Sequence, residues 1–305
     1  MANNKIISSI IALLLILLPE SLGNSTQEIS ENSPQKVKVG IWLVNLQKFE
    51  LSTGSYDVDF YLWFKGKGDV NYEFMNGRAS SIDIIKKDKE YLEIRVRGTF
   101  LKSLNFKDYP FDKHRLTIEI EDKNLDITQL IFLPDLEESG IDPFINIAGW
   151  NIEDWKIESI EHQYPGDSSF SRIIFSFTIG RSTLSSILKS IIPISIITCI
   201  AMLAFFISPS NYAQRIGLGV TTLLAAVANH LALTSQIPPI GYLTLADKVM
   251  ITAYGMFLYS LMISVLLMKL VDQKKNEEAQ RLNRRAGIML PVIALILILG
   301  LVLLT

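Results

Sequence analysis

The stretch NYAQRIGLGVTTLLAAVANHLAL, residues 211–233, decides how the rest of the chain is read. It is long enough to cross a bilayer, because about 20 helical residues span the hydrocarbon. Yet it holds Arg215, Gly217, Gly219, Thr221, Thr222, Asn229 and His230, which lipid-facing helices avoid. On a helix, Gly217, Thr221, Leu224, Ala228, Leu231 and Ser235 recur at alternating steps of four and three, which makes them one stripe. Polar residues in spanning segments usually face a bundle interior or a water-filled cavity. Small residues also favour plain helix–helix packing, so the stripe by itself leaves both readings open. Several copies around an axis would turn it into a narrow, partly wet lumen with a leucine ring midway.

Working outward, the chain of 305 residues is 49% hydrophobic, and that average conceals two solvent classes. Up to about Gly180 charged and apolar residues mix as in a soluble domain; beyond it long apolar runs dominate. Spanning helices are expected at about 184–207, 213–234, 248–271 and 286–304. The 272–285 segment, DQKKNEEAQRLNRR, is read as a cytoplasmic loop because Lys and Arg favour that side, whereas SQIPPIGYLTLA at 235–246 has no basic residue. With four spans the N-terminal domain then lies outside. The start of the chain agrees: Lys5, an apolar run from Ile6 to Leu18, then Ser21 and Gly23 have the layout of a signal peptide over residues 1–23. The alternative is an uncleaved anchor helix.

Residues 24–181 read as the exported domain. VKVGIWLVNL, YDVDFYLWF, YLEIRVRGTF, RLTIEIED, WNIEDWKIESI and RIIFSFTIGR alternate with period two, and STG, GKGD, DYPFD and YPGDSS supply turns between them. Such spacing predicts a β-sandwich. Cys199 is the only cysteine and falls in the first membrane helix, so the sandwich must hold together through its core. The last strand runs into the first membrane helix without a flexible linker, so movement in one is felt in the other.

Enzyme chemistry has no foothold. His114, His162 and His230 are far apart in sequence, and no GxSxG, CxxC, HExxH or phosphate-binding glycine loop occurs. No metal site or cofactor is expected. A net charge of −2 offers nothing basic enough for nucleic acid.

Five motifs then carry a resemblance, in order along the chain. LNFKDYPFDKHRL resembles the signature loop of the pentameric ligand-gated ion channels (the Cys-loop receptor superfamily), and AGWNIEDW its following strand. IGRSTLSSILKSIIP is similar to the entry to the first helix, with Arg181 and Pro193 in register. RIGLGVTTLL resembles the pore helix of glycine and GABA-type receptors, and IPPIGYLTLAD the link after it. The likeness covers residues 37–304. It implies a β-sandwich extracellular domain followed by an all-α four-helix transmembrane domain (182–305), assembled as a homopentamer with a central pore.

From the resemblance follow the expected site residues. The second helix lines the pore with Gly217, Thr221, Leu224, Ala228, Leu231 and Ser235, Leu224 being the hydrophobic gate. Ala213, Gln214 and Arg215 form the selectivity mouth; with no carboxylate between Ser208 and Thr234, it leans towards anions. Tyr109, Pro110, Phe111 and Asp112 rest on the membrane domain, with Arg181 nearby and Pro238 and Tyr242 in the link they press upon. Glu50 is a further candidate for the coupling ion pairs. Tyr61, Tyr164 and Phe170 are the aromatic candidates for ligand contact.

The chain also departs from the family pattern. Lys102 and Leu116 stand where the signature cysteines would be. The W-x-P-D motif is missing, and Lys123 or Leu125 occupies the usual central aromatic position of the pocket. The expected partners are further copies of the chain, membrane lipid, permeant inorganic ions, and a small ligand or proton as stimulus. The competing reading is a non-conducting membrane sensor of the same fold that signals through a partner.

Overall fold

The computed structural model describes residues 33–303. The expected signal peptide lies outside the described residues.

Among the described residues ten strands form two sheets: β1 (Gln35–Glu50), β2 (Ser55–Lys65), β3 (Tyr72–Phe74), β4 (Gly77–Lys87), β5 (Tyr91–Leu101), β6 (Lys113–Asp122), β7 (Leu130–Pro134), β8 (Gly140–Ile141), β9 (Trp150–Gln163) and β10 (Ser169–Arg181). One sheet has the order β4-β5-β2-β1-β7, with β8 also paired to β1; the other has the order β3-β6-β10-β9. β1 runs antiparallel to β2 but parallel to β7 and β8.

Period-two alternation explains why these segments are strands. Val37, Val39 and Ile41 of β1, with Phe60, Leu62 and Phe64 of β2, turn inward from one sheet. Leu116, Ile118 and Ile120 of β6, with Ile173, Phe175, Phe177 and Ile179 of β10, meet them from the other. Truncating one such aromatic to alanine costs about 3–5 kcal/mol, so a core of this kind can stand in for a disulfide. At the two positions where the signature cysteines would sit, Leu116 is sealed in that core, and Lys102 reaches Glu119 at 3.3 Å.

Four strands, β3, β4, β7 and β8, lie outside the six expected segments, and the stretch after Asp272 also differs from the sequence-based expectation; β3, β7 and β8 are only two to five residues long, too short for alternation to register. β4 is an edge strand that the alternation does not reveal, because most of its residues are exposed and both polar and apolar positions face outward. The 272–285 segment is not a loop. Only a short turn follows Asp272, and helix resumes at Asn276. Hydropathy marks only the apolar stretch, whereas Glu277, Glu278, Gln280 and Arg281 are good helix formers, aided by the Glu277–Arg281 pair one turn apart.

Four helical segments follow the sandwich: α1 (Thr183–Phe206), α2 (Tyr212–Thr234), α3 (Leu245–Asp272) and α4 (Asn276–Leu303). By length and composition α1, α2 with its preceding turn, and α3 are able to cross a membrane. α1 contains a π-helical turn, Ile187–Ile191, just before Pro193. Proline has no N–H for the carbonyl one turn back and its ring crowds that carbonyl, so the helix widens there. α3 starts with a reciprocal cap, Thr244 and Asp247 each bonding the other's backbone N–H. Ala201, Ala226, Ala253 and Phe257 close the contact between α1, α2 and α3.

Candidate functional site: pore edge and coupling junction

α2 has two faces. Arg215, Gly219, Thr222, Ala226 and Leu233 are buried against the protomer's own helices. Gly217, Thr221, Leu224, Ala228, Leu231 and Ser235 all lie on the exposed side, with Leu224 and Leu231 65% and 66% exposed. The two glycines near the start of the helix do different jobs. A Cβ on Gly219 would come within 2.5 Å of Leu261 Cδ2, so this glycine permits α3 to approach. A Cβ on Gly217 would meet nothing within 4 Å. The Thr221 and Ser235 hydroxyls donate to the carbonyls of Gly217 and Ala232, which leaves their oxygen lone pairs on the open face.

Arg215 corrects the expected selectivity mouth. It is wholly buried, on the opposite side from Gly217. Nη1 donates to the Ile207 carbonyl at 2.9 Å, Nε approaches Ser264 Oγ at 3.4 Å, and the guanidinium lies 5.7 Å from the Phe205 ring centre. Arg215 thus ties the turn between α1 and α2 to α3. Ala213 and Gln214 remain exposed. The sequence allowed either orientation, because a long side chain at the start of a helix reaches lumen or neighbour equally well.

The loop between β5 and β6 forms the second candidate. Asp112 is buried; its Oδ1 accepts from Arg181 Nε at 2.8 Å and its Oδ2 from Nη2 at 3.2 Å, and His114 Nε2 lies 2.7 Å from the same Oδ2. Burial by itself would raise this carboxyl; the hydrogen bonds from His114 and Arg181, with the charge of Arg181, outweigh it and hold the pKa at about 2. The Arg181 guanidinium also sits 4.5 Å from the Trp150 ring centre and 5.2 Å from that of Tyr109. Glu50, expected as a further member, pairs with Lys48 at 3.3 Å and takes no part. Its place beside Asp112 is filled by His114, which the sequence reading left unassigned.

From this cluster the loop reaches the helices through specific bonds. The Tyr109 hydroxyl donates to the Leu233 carbonyl at the end of α2, 3.2 Å away. The carbonyls of Lys107 and Tyr109 accept from the amides of Leu245 and Ala246 at the start of α3, at 2.8 and 2.9 Å. Pro110 offers its carbonyl to Ser186 Oγ of α1 at 2.6 Å. In the link between α2 and α3, Tyr242 accepts from the Phe106 amide at 2.9 Å. Phe106 and Tyr109 pack with Leu233, Ile237 and Ala246 in one small cluster. Phe106 is the apolar contact the sequence reading missed; its position inside LNFKDYPFD, three residues before Tyr109, was the available signal. Pro238 stays half-buried in the link and Phe111 half-buried in the loop.

The aromatic candidates fall into two groups. Tyr164 and Phe170 flank the turn between β9 and β10 with rings 5.8 Å apart, and His162 lies 4.6 Å from Tyr164. The Tyr164 hydroxyl donates to Glu121 at 2.9 Å and accepts from Arg172 at 3.1 Å, so its polar end is already committed. Tyr61 belongs to the other sheet, and the Arg95 guanidinium covers it at 5.4 Å. One protomer does not gather the three rings.

The neurotransmitter-gated ion-channel transmembrane region matches residues 190–299, which contain α2 and α3 whole. The chain is 26% identical over 208 residues to a proton-gated ion channel of Gloeobacter violaceus, covering 68% of this chain and 57% of that one. It is 30% identical over 271 residues to the acetylcholine receptor subunit alpha-type deg-3 of Caenorhabditis elegans, covering 78% and 47%. With the gamma-aminobutyric acid receptor subunit beta-4 of Gallus gallus it shares 24% over 186 residues, covering 57% and 38%. The chain belongs to the neurotransmitter-gated ion-channel family, and to its members without the signature cysteines. It spans less than two thirds of the length of each of these relatives. Family members are channels, not enzymes. The family and the apolar helices together make this a multi-pass membrane protein with its sandwich outside.

Proposed function

We propose that this chain is one subunit of a homopentameric ion channel opened from the extracytoplasmic side, with α2 lining the pore. The observation that carries this reading is the division of α2. The face of Arg215, Gly219, Thr222, Ala226 and Leu233 is used inside the protomer, while the stripe from Gly217 to Ser235 is left open, with the Thr221 and Ser235 hydroxyls towards its two ends. Lipid would disfavour that stripe; a shared water path would use it. α4 supplies the fourth span, its polar first turns projecting into the cytoplasm.

In this reading Leu224 is the constriction, closing the path by dewetting, with Thr221 and Gly217 below it. The junction of Asp112, Arg181, Tyr109 and Tyr242 transmits movement of the sandwich to both ends of the α2–α3 link. Tyr164 and Phe170 of one subunit form half of a ligand site, and Tyr61 of the neighbour approaches from the other sheet. A small ligand or protons supply the stimulus.

The anion preference rests on electrostatics at a distance. The exposed edge from Ala213 to Ser235 has no carboxylate. Behind it Arg215 is buried without a carboxylate partner among the described residues, and its Nη2 has no hydrogen bond. Charge in a low-dielectric wall is weakly screened, so a ring of such arginines makes the cytosolic mouth positive without touching the ions.

Current recording from purified protein in a planar bilayer, during a ligand and pH screen, tests the proposal. The expected result is current that reverses near the chloride equilibrium potential. Silence under every stimulus, including from Leu224→Ser protein, would overturn it.

A further inference from the structure

A cavity of about 170 Å³ lies beside the junction, between the Tyr109–Pro110 segment and the first turns of α1. Its polar lining comes from Arg181, Ser185, Lys189, Ser190, Trp150 and Gln236. At about 30 Å³ per liquid water, that is room for roughly five or six waters. A tetrahedral oxyanion fits in such a space.

The charge of this lining is one-sided. Among the described residues no carboxylate borders the cavity. Arg181 commits Nε and Nη2 to Asp112, and its Nη1 has no partner among the described residues. Lys189 is exposed and forms no ion pair among the described residues. Ser186 spends its hydroxyl on the Pro110 carbonyl, but Ser190 does not. That residue is only 6% exposed, and its hydroxyl, which keeps some accessible surface, has no hydrogen-bond partner among the described residues. A hydroxyl on a cavity wall with no protein partner is free to bond what fills the cavity.

The sequence gathers these groups on purpose-like spacing. Ser185 and Lys189, like Ser186 and Ser190, stand four apart, which brings all four to one side of a helix. The π-helical turn at Ile187–Ile191 falls within that run and widens the helix where the cavity opens. We infer that this cavity is a binding site for a phosphate-class oxyanion, held by Lys189, Ser190 and the unused edge of Arg181. The site lies at the outer end of a membrane-spanning helix, a depth at which both lipid phosphodiesters and soluble phosphate are present. It does not depend on whether the protein conducts.

Trp150 lines the cavity and reports on it. Purified full-length protein in a neutral detergent is titrated with inorganic phosphate, with dioctanoyl phosphatidylglycerol, and with dioctanoylglycerol as the uncharged control, while tryptophan emission is followed. A saturable change is expected with at least one of the two phosphates and not with the control, and it is absent from Trp150→Phe protein. Response to the phosphatidylglycerol alone identifies a lipid headgroup as the source; equal response to inorganic phosphate identifies a soluble anion. Lys189→Gln and Ser190→Ala each weaken binding, the lysine change by about tenfold, while Lys189→Arg retains it. No saturable response to either phosphate, or one that Lys189→Gln leaves unaltered, overturns the site; so does a Lys189→Arg protein, of unchanged elution volume, that has lost it.

Discussion

Arg181 grips Asp112 with two hydrogen bonds, 2.8 and 3.2 Å long, at the residue where the last strand of the sandwich ends and α1 is about to begin. Asp112 has no exposed surface on its side chain and Arg181 only 16%, so the pair is shielded from water. Breaking such a pair from one side leaves a buried charge, which costs about 3–5 kcal/mol. Asp112→Asn and Arg181→Gln are therefore each expected to lower the thermal midpoint markedly and to impair opening. The double variant should lose far less than the sum of the two. A double-mutant cycle in thermal unfolding measures this, and simple additivity would show that the two residues are not coupled.

The same pair fixes an acid limit. Its folded-state pKa of about 2 lies below the ordinary value of 3.8, so Asp112 binds fewer protons folded than unfolded. Its contribution is present in full above about pH 4 and is lost as pH falls towards 2; it is worth about 2 kcal/mol, from 1.36 kcal/mol per pKa unit. Between pH 5 and 8 Asp112 stays ionised. A pH series of thermal midpoints should show wild-type protein losing an increment below pH 4 that Asp112→Asn protein lacks. If mild acid opens the channel, Asp112 is not the group that senses it.

Leu224 is the bulkiest residue midway along the exposed edge of α2, one turn beyond Thr221. Replacing it with serine removes the apolar ring that dewetting requires, while the buried face of the helix is untouched. Leu224→Ser protein is expected to conduct without stimulus, or at a stimulus level at least about tenfold lower than wild type needs. Single-channel recording decides the matter. A Leu224→Ser channel as tightly closed as wild type would remove Leu224 from the constriction.

Much of this architecture was legible because burial has a period. The strands rich in alternating Val, Ile and Phe, such as β1, β2 and β10, announce themselves; β4, whose Ile82, Ile84 and Ile85 all face outward, does not. The faces of α2 were legible for the same reason, since a stripe at steps of four and three needs no neighbour to define it. Arg215 and Glu50 were not. Where a long charged side chain points depends on which acceptors its neighbours present: here the Ile207 carbonyl for Arg215 and Lys48 for Glu50. His114 was hidden for a related reason, because a histidine two residues from an aspartate reads as a surface pair until packing seals both.

The selectivity prediction separates a charge that faces ions from one that lies behind them. Gln214 is exposed near the start of α2, and Gln214→Glu adds a ring of carboxylates directly at the proposed mouth. In asymmetric potassium chloride its reversal potential should move from the chloride towards the potassium equilibrium value. Arg215→Gln acts differently. It removes the hydrogen bond to the Ile207 carbonyl and the contact with Phe205, so it should first cost stability, about 1–3 kcal/mol, seen as a lower thermal midpoint. Its effect on reversal should be a partial loss of anion preference, because the wall loses charge while the lumen surface stays as it was. The opposite pattern, with Arg215→Gln abolishing anion preference at unchanged stability and Gln214→Glu leaving reversal where it was, would mean that the guanidinium turns into the lumen in the assembled channel.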